Sequence, residues 1–358
     1  MKSSSCIYHR LSDLLETHQQ CVLATVISTQ GSTPQKTGSS ALIGATGLLA
    51  GTIGGGITEM KIIQEAQIRL KSKESGLFSF ELHGKIENGS ESICGGSMQI
   101  LLDANPLLHH TVFRQLTESL KNGISGILMH RIDQSDPENI EITRYWITKE
   151  NDSFFSGELG KAVDLAVTKM LHHPDASCQT ISMATPELQR NDLILLENIL
   201  PKPKLIIAGA GHIGQSLAPI GKSLGFSVTV WDDRPEYADQ SKFPEADTVL
   251  SGMESLDKIA IHNDTYLVIV SHGHKSDAGV LKKFIGSDAA YIGMIGSLAK
   301  VAQMKNSFLE NGWATPEQWN RIFAPVGLDI GAQTVEEIAV SIAAQLIKVR
   351  NRKLVNHE

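Results

Sequence analysis

The sequence predicts an α/β protein of two domains, an α+β domain followed by a doubly wound parallel sheet. Three observations predict it. The chain has 358 residues, enough for two cores of ordinary size. From residue 204 onward apolar strand patterns alternate with helical ones, the order of a parallel sheet with crossover helices. The first of those strands, KLIIA, runs directly into a glycine-spaced turn.

The first domain is expected over 1–197. A short helix over 7–18 precedes CVLATVIST (21–29), an apolar and β-branched strand. The loop GSTPQKTGSS leads to a hairpin, ALIGA and LLAGTIG, turning at Thr46-Gly47. ITEMKIIQEAQIRLKSK (57–73) has helical spacing, with Ile57, Met60, Ile63, Ala66, Ile68 and Leu70 as the expected apolar face. GLFSFELHG and SMQILLDAN are strands. Pro106 opens a helix that Gly123 stops, and GISGILMHRI pairs with NIEITRYWIT. The prolines of 198-NILPKPK-204 favour an extended link, placed at 198–203. The second domain, 204–358, contributes strands KLIIAGA, SVTVWDD, DTVLSG, TYLVIVSHG and AAYIGMIG. It closes on a helix capped by Thr334 with Glu337 as capping-box partner.

Composition narrows the function classes. A net charge of −7 with no basic stripe speaks against nucleic acid as a partner. There is no signal-peptide pattern and no 18-residue apolar span, so a cytoplasmic protein without a membrane span is expected. The four cysteines, Cys6, Cys21, Cys94 and Cys178, form no C-x-x-C pair, which argues against a zinc ribbon, a redox pair or a disulfide framework. His109–His110 and His172–His173 read as solvated pairs on helices, and Cys21 as core.

The chemistry concentrates in glycine turns. Gly209, Gly211 and Gly214 form G-x-G-x-x-G between a strand and a helix, and Asp232 ends the next strand 18 residues on. That is the context of a Rossmann-like dinucleotide fold: a tight turn, close backbone approach to phosphate, and close helix packing. The same glycines also serve a tight turn with no nucleotide bound. His212 lies inside the motif. Asp232 favours an unphosphorylated ribose, whereas Arg234 suits a 2′-phosphate. SHGHKSD places His272, His274 and Asp277 after a later strand, as acid–base or metal groups or as turn residues capping the next helix. Gly293 and Ser297 of GMIGS approach the same edge. Upstream, Gly54, Gly55 and Gly56 precede a helix whose amides attract an anion, and Glu59 either serves the helix dipole or faces that ligand. Cys94, before Gly95 and Gly96, reads as an accessible thiol whose neighbouring amides favour thiolate, suited to a soft metal or sulfur transfer, or as a small apolar residue at a strand start.

Taken in order, GSTPQ (31–35), GTIGGGITE (51–59), CGGSMQILL (94–102), GAGHIG (209–214), Asp232–Arg234, SHGHKSD (271–277), DAAYIGMIGS (288–297) and APVGLDIGAQTVEEIAVSI (324–342) closely resemble the XdhC/CoxI family of xanthine dehydrogenase accessory proteins. The resemblance covers nearly the whole chain. It implies an XdhC/CoxI-type first domain, a Rossmann second domain, and a maturation factor for molybdenum hydroxylases rather than a hydroxylase. Such a factor binds molybdenum cofactor (molybdopterin), protects it while a cysteine desulfurase supplies the terminal sulfur, and delivers it to the apo-enzyme of the xanthine dehydrogenase type. A homodimer is implied too. On this reading both glycine turns face one cleft, Gly209–Gly214 at phosphate, and Gly54–Gly56, Glu59 and Cys94 at the pterin or metal end, with Cys94 a molybdenum ligand or a transient sulfur carrier. Gln35 and Lys36 stand where the family more commonly has an arginine, and Lys36 would replace a bidentate group by a point charge. The alternatives are an NAD(P)-dependent oxidoreductase built on the Rossmann domain, and an interaction scaffold with a vestigial site.

Overall fold

The computed structural model describes residues 4–81, 95–135, 140–149, 161–172, 178–185 and 190–355. Its contacts divide the chain into two compact units, Met1–Pro201 and Lys202–Glu358.

In the first unit, β1 (Val22–Gln30), β2 (Ser40–Gly44), β3 (Gly47–Gly51), β4 (Gly76–Glu81) and β5 (Ser97–Asp103) form one antiparallel sheet in the order β3-β2-β1-β5-β4. β6 (Gly126–Asp133), β7 (Glu141–Ile147), β8 (Gln179–Thr185) and β9 (Arg190–Ile199) form another, β7-β6-β9-β8. The central strand β1 is apolar on both sides because both are covered. Val22, Ala24 and Val26 pack with Ile62, Ala66 and Leu70 of α2 (Gly56–Ser72). Leu23 joins the cluster of α1 (Ser4–Glu16) and α3 (His110–Lys121), and Ile27 meets Ile132, Leu193 and Leu195 of the other sheet. α4 (Lys161–His172) covers β6 and β9 through Val163, Val167 and Met170. Burial of each such aliphatic side chain stabilises the fold by about 1.5–3 kcal/mol.

Two sequence expectations change here. Asn198 and Ile199, assigned to a linker, continue β9, paired with Ile127 and Gly126. The apolar face of α2 is rotated: Ile62, Ala66 and Leu70 are buried, while Ile57, Met60 and Ile68 are 48%, 53% and 60% exposed. Glu59 fixes the rotation. It lies on the face of Ile62 and Ala66, and its carboxylate turns inward to Thr52 and Ile53. Counting apolar residues alone does not weigh that polar anchor.

In the second unit β10 (Lys204–Ala208), β11 (Ser227–Asp232), β12 (Thr248–Ser251), β13 (Thr265–Ile269), β14 (Tyr291–Met294) and β15 (Ile322–Phe323) make a parallel sheet ordered β12-β11-β10-β13-β14-β15. Numbered within the unit this is 3-2-1-4-5-6, the doubly wound order, with its reversal between β10 and β13. Helices α5 (His212–Ser223) and α9 (Val335–Val355) bury Leu217, Ala218, Ala339 and Leu346 on one face. Helices α6 (His274–Phe284), α7 (Leu298–Glu310) and α8 (Pro316–Asn320) bury Val280, Phe284, Phe308 and Trp319 on the other. The expected cap of α9 forms: the Glu337 carboxylate accepts from Thr334 N at 3.1 Å, and Thr334 Oγ accepts from Glu337 N at 3.2 Å. Among the described residues no helix is long and apolar enough to cross a membrane.

The rotation of α2 sets a test. Ile62→Ala is expected to destabilise the first unit by about 2–4 kcal/mol, and Ile68→Ala by less than about 0.5 kcal/mol, in urea unfolding. The reverse ranking would restore the face read from the sequence.

Candidate functional site: glycine edges in both units

At the carboxyl end of β10 the chain turns through Gly209 and enters α5. Gly209 has φ +133, and a Cβ there would sit 2.5 Å from the carbonyl carbon of Val270 and 2.6 Å from Ser271 N. At Gly214 a Cβ would overlap the Gly209 carbonyl oxygen. These two glycines are required by packing. Gly211 differs: its φ is −75, and a Cβ would meet nothing within 4 Å. The space above it is open, at the start of a helix with no side-chain cap and no acidic residue in its first turn. Free N–H groups there suit an anion. His212 is exposed beside it.

Asp232 lies at the end of β11 but does not face outward. Its side chain is fully buried. Oδ2 accepts from Ala210 N at 2.8 Å, and Oδ1 accepts from Arg234 N and Nε, each at 3.0 Å. Burial alone would raise its pKa, but the bonds from Arg234 and Ala210 outweigh that and hold it below the usual carboxylate value. Arg234 stacks over the Tyr237 ring, 3.8 Å from its centroid. The carboxylate expected to hold ribose therefore holds the glycine turn. Asp233, half exposed beside it, is pushed upward by burial and by the Asp232 charge.

The SHGHKSD segment divides similarly. His272 and His274 are exposed. Asp277, expected on the ligand side, is buried: it accepts from Ser271 Oγ and from Lys300 Nζ, each at 2.5 Å. Among the described residues no group of three or more His, Cys, Asp or Glu side chains is placed to hold a metal. Gly293 is interior to β14, where a Cβ would meet the Tyr291 hydroxyl at 2.5 Å and Val326 at 2.6 Å; its role is packing rather than ligand contact. Ser297 caps α7 by accepting from Lys300 N at 3.3 Å. Lys300 was not singled out from the sequence, because a lysine in a helix normally reads as a solvated face.

In the first unit three separated motifs converge. A Cβ at Gly54 would meet Pro34 Cγ at 2.7 Å, and one at Gly96 would meet the carbonyl oxygens of Gln30 and Ser32 at 2.5 Å. The loops 31–35, 54–56 and 95–96 thus share one end of the sheet, with Gly55, Gly56 and Gly95 facing open space. Cys94 falls outside the described residues. Gly54, Gly55 and Gly56 all have positive φ, from +62 to +134, a path only glycine follows without strain. The anion expected at their amides is supplied by the chain itself. Glu59 accepts from Thr52 Oγ at 2.7 Å and Ile53 N at 2.9 Å. Partial burial would raise its pKa, yet these bonds and those of the Gly54 and Gly55 amides lower it overall.

A buried charged network in this unit was missed. Arg144 Nε donates to His130 Nδ1 at 3.0 Å and Nη1 to Asp103 at 2.5 Å, with His109 Nδ1 3.0 Å from the same Nη1. His130 Nε2 lies 2.7 Å from Glu197, which also accepts from Tyr8 at 2.8 Å. Burial, together with Arg144, depresses the pKa of His130 and takes His109 to about 4. Asp103 and His109 form part of the wall of a cavity of about 510 Å³ that lies apart from the glycine loops. His109, expected in solvent, is half-buried because it packs on Arg144. Alternation marks Arg144 and His130 as inward-facing in their strands, a signal obscured by their polarity.

Comparison with known proteins adds the following. The family model of the XdhC Rossmann domain matches residues 205–346, and that of the XdhC and CoxI family matches 14–81, together more than half of the chain. A Bacillus subtilis (strain 168) protein, named as a probable subunit of xanthine dehydrogenase, is 26% identical, covering 97% of this chain and 99% of that one. The uncharacterized protein YqeB of Escherichia coli (strain K12) is 24% identical; the match takes in 96% of this chain but 46% of that protein. A crystal structure described as a xanthine dehydrogenase from Bacillus halodurans superposes with a TM-score of 0.74 at 24% identity, over 98% of this chain and 96% of that one, a likeness of fold.

Two measurements follow from the geometry. Gly214→Ala is expected to destabilise the second unit by about 2 kcal/mol or more, as overpacking does. Gly211→Ala should leave thermal unfolding unchanged yet weaken any phosphate ligand; equal melting shifts for the two would contradict the assignment. The histidines set a pH window. With folded-state values below the unfolded value near 6.5, their neutral forms stabilise the first unit above that pH, and the contribution is lost as pH falls below it, for His109 down to about 4. Calorimetric melting should fall across that window, and less steeply in His109→Gln.

Proposed function

The chain belongs to the XdhC and CoxI family, and from that premise we propose that it is an accessory protein of a molybdenum hydroxylase of the xanthine dehydrogenase type. It takes molybdenum cofactor as cargo, shields it while a cysteine desulfurase adds the terminal sulfur, and passes it to the apo-hydroxylase. Its partners are that apo-enzyme, the desulfurase and a second copy of itself. The name of the Bacillus subtilis relative, which ties that protein to xanthine dehydrogenase, supports the accessory role.

The observation that carries the reading is the state of the carboxylates at the Rossmann edge. Asp232 and Asp277 are both fully buried and committed to partners, which leaves the glycine amides and the exposed His212, His272 and His274 as the outward surface. Such a surface binds an anion with little reorganisation. In the first unit the converged loops 31–35, 54–56 and 95–96 make a close-approach surface of their own, and we assign Cys94 as the thiol for the metal or the transferred sulfur.

The test is an anaerobic calorimetric titration of purified apo-protein with molybdenum cofactor, followed by transfer to apo-hydroxylase. Stoichiometric binding and restored hydroxylase activity are expected, with at least a tenfold loss of cofactor retention or sulfuration in Cys94→Ala at unchanged melting temperature. Catalytic turnover of NAD(P) by the chain alone, without cofactor binding, would replace the carrier by an oxidoreductase.

A further inference from the structure

Helix α2 is apolar on two opposite sides. Its inner side, Ile62, Ala66 and Leu70, is buried in the first unit. Ile57 and Ile68 lie on the outer side, and both are exposed. At 3.6 residues per turn, the interval between them is about three turns, so they stand in one line about 16 Å apart. Gln64 falls between them and Met60 beside them, both exposed. Gln67 donates to the Ala45 carbonyl at 2.9 Å, which holds the β2–β3 turn against the helix. Edge strand β3 there adds exposed Leu48 and Leu49. The neighbouring helices differ: α1 exposes Arg10, Asp13 and Glu16, and α3 exposes Arg114, Gln115 and Glu118. A helix apolar on both sides is ordinarily covered on both. Single exposed apolar residues need no explanation, whereas a contiguous group marks an interface.

The pattern of this stripe is its own complement. A two-fold axis across its middle, level with Ile62 and Ile63, sets two α2 helices antiparallel. Ile57 of each copy then meets Ile68 of the other. Such an axis keeps each flank of the helix on its own side. Lys61 and Glu65 stand one turn apart on one flank. The axis brings Lys61 of each copy level with the partner's Glu65, so two opposite-charge pairs border the apolar seam. Glu65 bonds Arg69 Nε through Oε1 at 3.0 Å and has a second oxygen for that lysine. Among the described residues Lys61 forms no ion pair. A foreign partner requires no such symmetry of the helix; a second copy does. A stable dimer buries about 800 Å² on each copy. One helix stripe supplies less than that, and β3 with Leu48 and Leu49 extends the face.

We propose that this face is the interface of a homodimer in which two α2 helices pack antiparallel about a two-fold axis, with Lys61 of each copy paired to the partner's Glu65. The proposal rests on the reading of a second copy as a partner, and not on the identity of the cargo. Its consequence is positional. The partner's Lys71 comes level with Gly54, so the glycine loop 54–56 of each copy lies at the seam rather than on a remote surface.

Sedimentation velocity of the full-length protein, over about a hundredfold range of concentration, reads the dissociation constant of the dimer. Wild-type protein is expected to be dimeric at the upper end of that range. Ile68→Arg should raise the constant at least a hundredfold by burying a charge in the seam. Lys61→Glu and Glu65→Lys, each alone, set like charges level and should raise it at least tenfold. The double variant Lys61→Glu/Glu65→Lys restores opposite charges and should return to within about threefold of wild type. Neither a folding defect nor a different interface produces that rescue. Melting temperatures measured where every variant is monomeric should agree. A wild-type dimer unmoved by Ile68→Arg, or single charge variants that the double one does not rescue, overturns this interface and leaves a second copy as partner through another face. A wild-type chain that stays monomeric throughout overturns both, and loss of apo-hydroxylase binding in Ile68→Arg would then give the face to that enzyme. Should Ile68→Arg not fold, the charge variants decide.

Discussion

The carboxyl edge of the second unit depends on one buried carboxylate. Asp232 carries its charge with no exposed surface, a state that is tolerated only because every direction around it is filled by a donor. Those donors are structural. The amide of Ala210 belongs to the glycine turn, so the bond fixes where α5 begins. The Arg234 bonds fold the chain back after β11 and bring the guanidinium onto Tyr237. The tight contacts of Gly209 with Val270 and Ser271, and of Gly214 with Gly209, close the turn from the other side. A carboxylate and two glycines thus determine the shape of the surface over Gly211.

The first unit uses the same device. Glu59 reaches back from the first turn of α2 to Thr52 and Ile53 and occupies the amides of a glycine run with positive φ. In both units an acidic side chain ordered by backbone N–H groups stabilises a glycine path that would otherwise be costly in conformational entropy. The result in each is a rigid turn with a few glycines, Gly55 and Gly56 or Gly211, facing open space. Rigid backbone with no side chain over it is a surface for close approach by a ligand. Deeper in the first unit, the chain from Tyr8 through Glu197, His130 and Arg144 to Asp103 ties α1, β9, β6, β7 and β5 together. Removing one member leaves the others buried without compensation.

These features bear on the division between carrying and catalysing. Acid–base catalysis needs a group free to exchange a proton near neutral pH and within reach of the substrate. Asp232 and Asp277 are buried and bonded to arginine, lysine and a backbone amide, so neither is within reach of a ligand on the outer surface, where His212, His272 and His274 are exposed and Asp233 half exposed. A fixed electrostatic surface of that kind orders an anionic cargo without consuming it. One doubly wound fold hosts unrelated activities, and the side chains at its carboxyl edge distinguish them.

The sequence by itself determined the class of fold, because hydrophobic period, glycine spacing and capping residues are local properties. The strand–turn–helix at Gly209–Gly214, the hairpin after β1 and the Thr334–Glu337 cap of α9 were all legible in this way. So were the residue positions of the candidate edges. Which way the side chains face there was decided only by tertiary structure. Asp232, Asp277 and Glu59 read as ligand groups along the chain, and each turns inward because a donor from another segment neutralises it: Ala210 and Arg234, Lys300 and Ser271, Thr52 and Ile53. The rotation of α2, the packing role of Gly293 and the buried network around Arg144 were hidden for the same reason. A charge is stable in the interior only when distant parts of the chain meet around it, and a linear sequence does not record which parts those are.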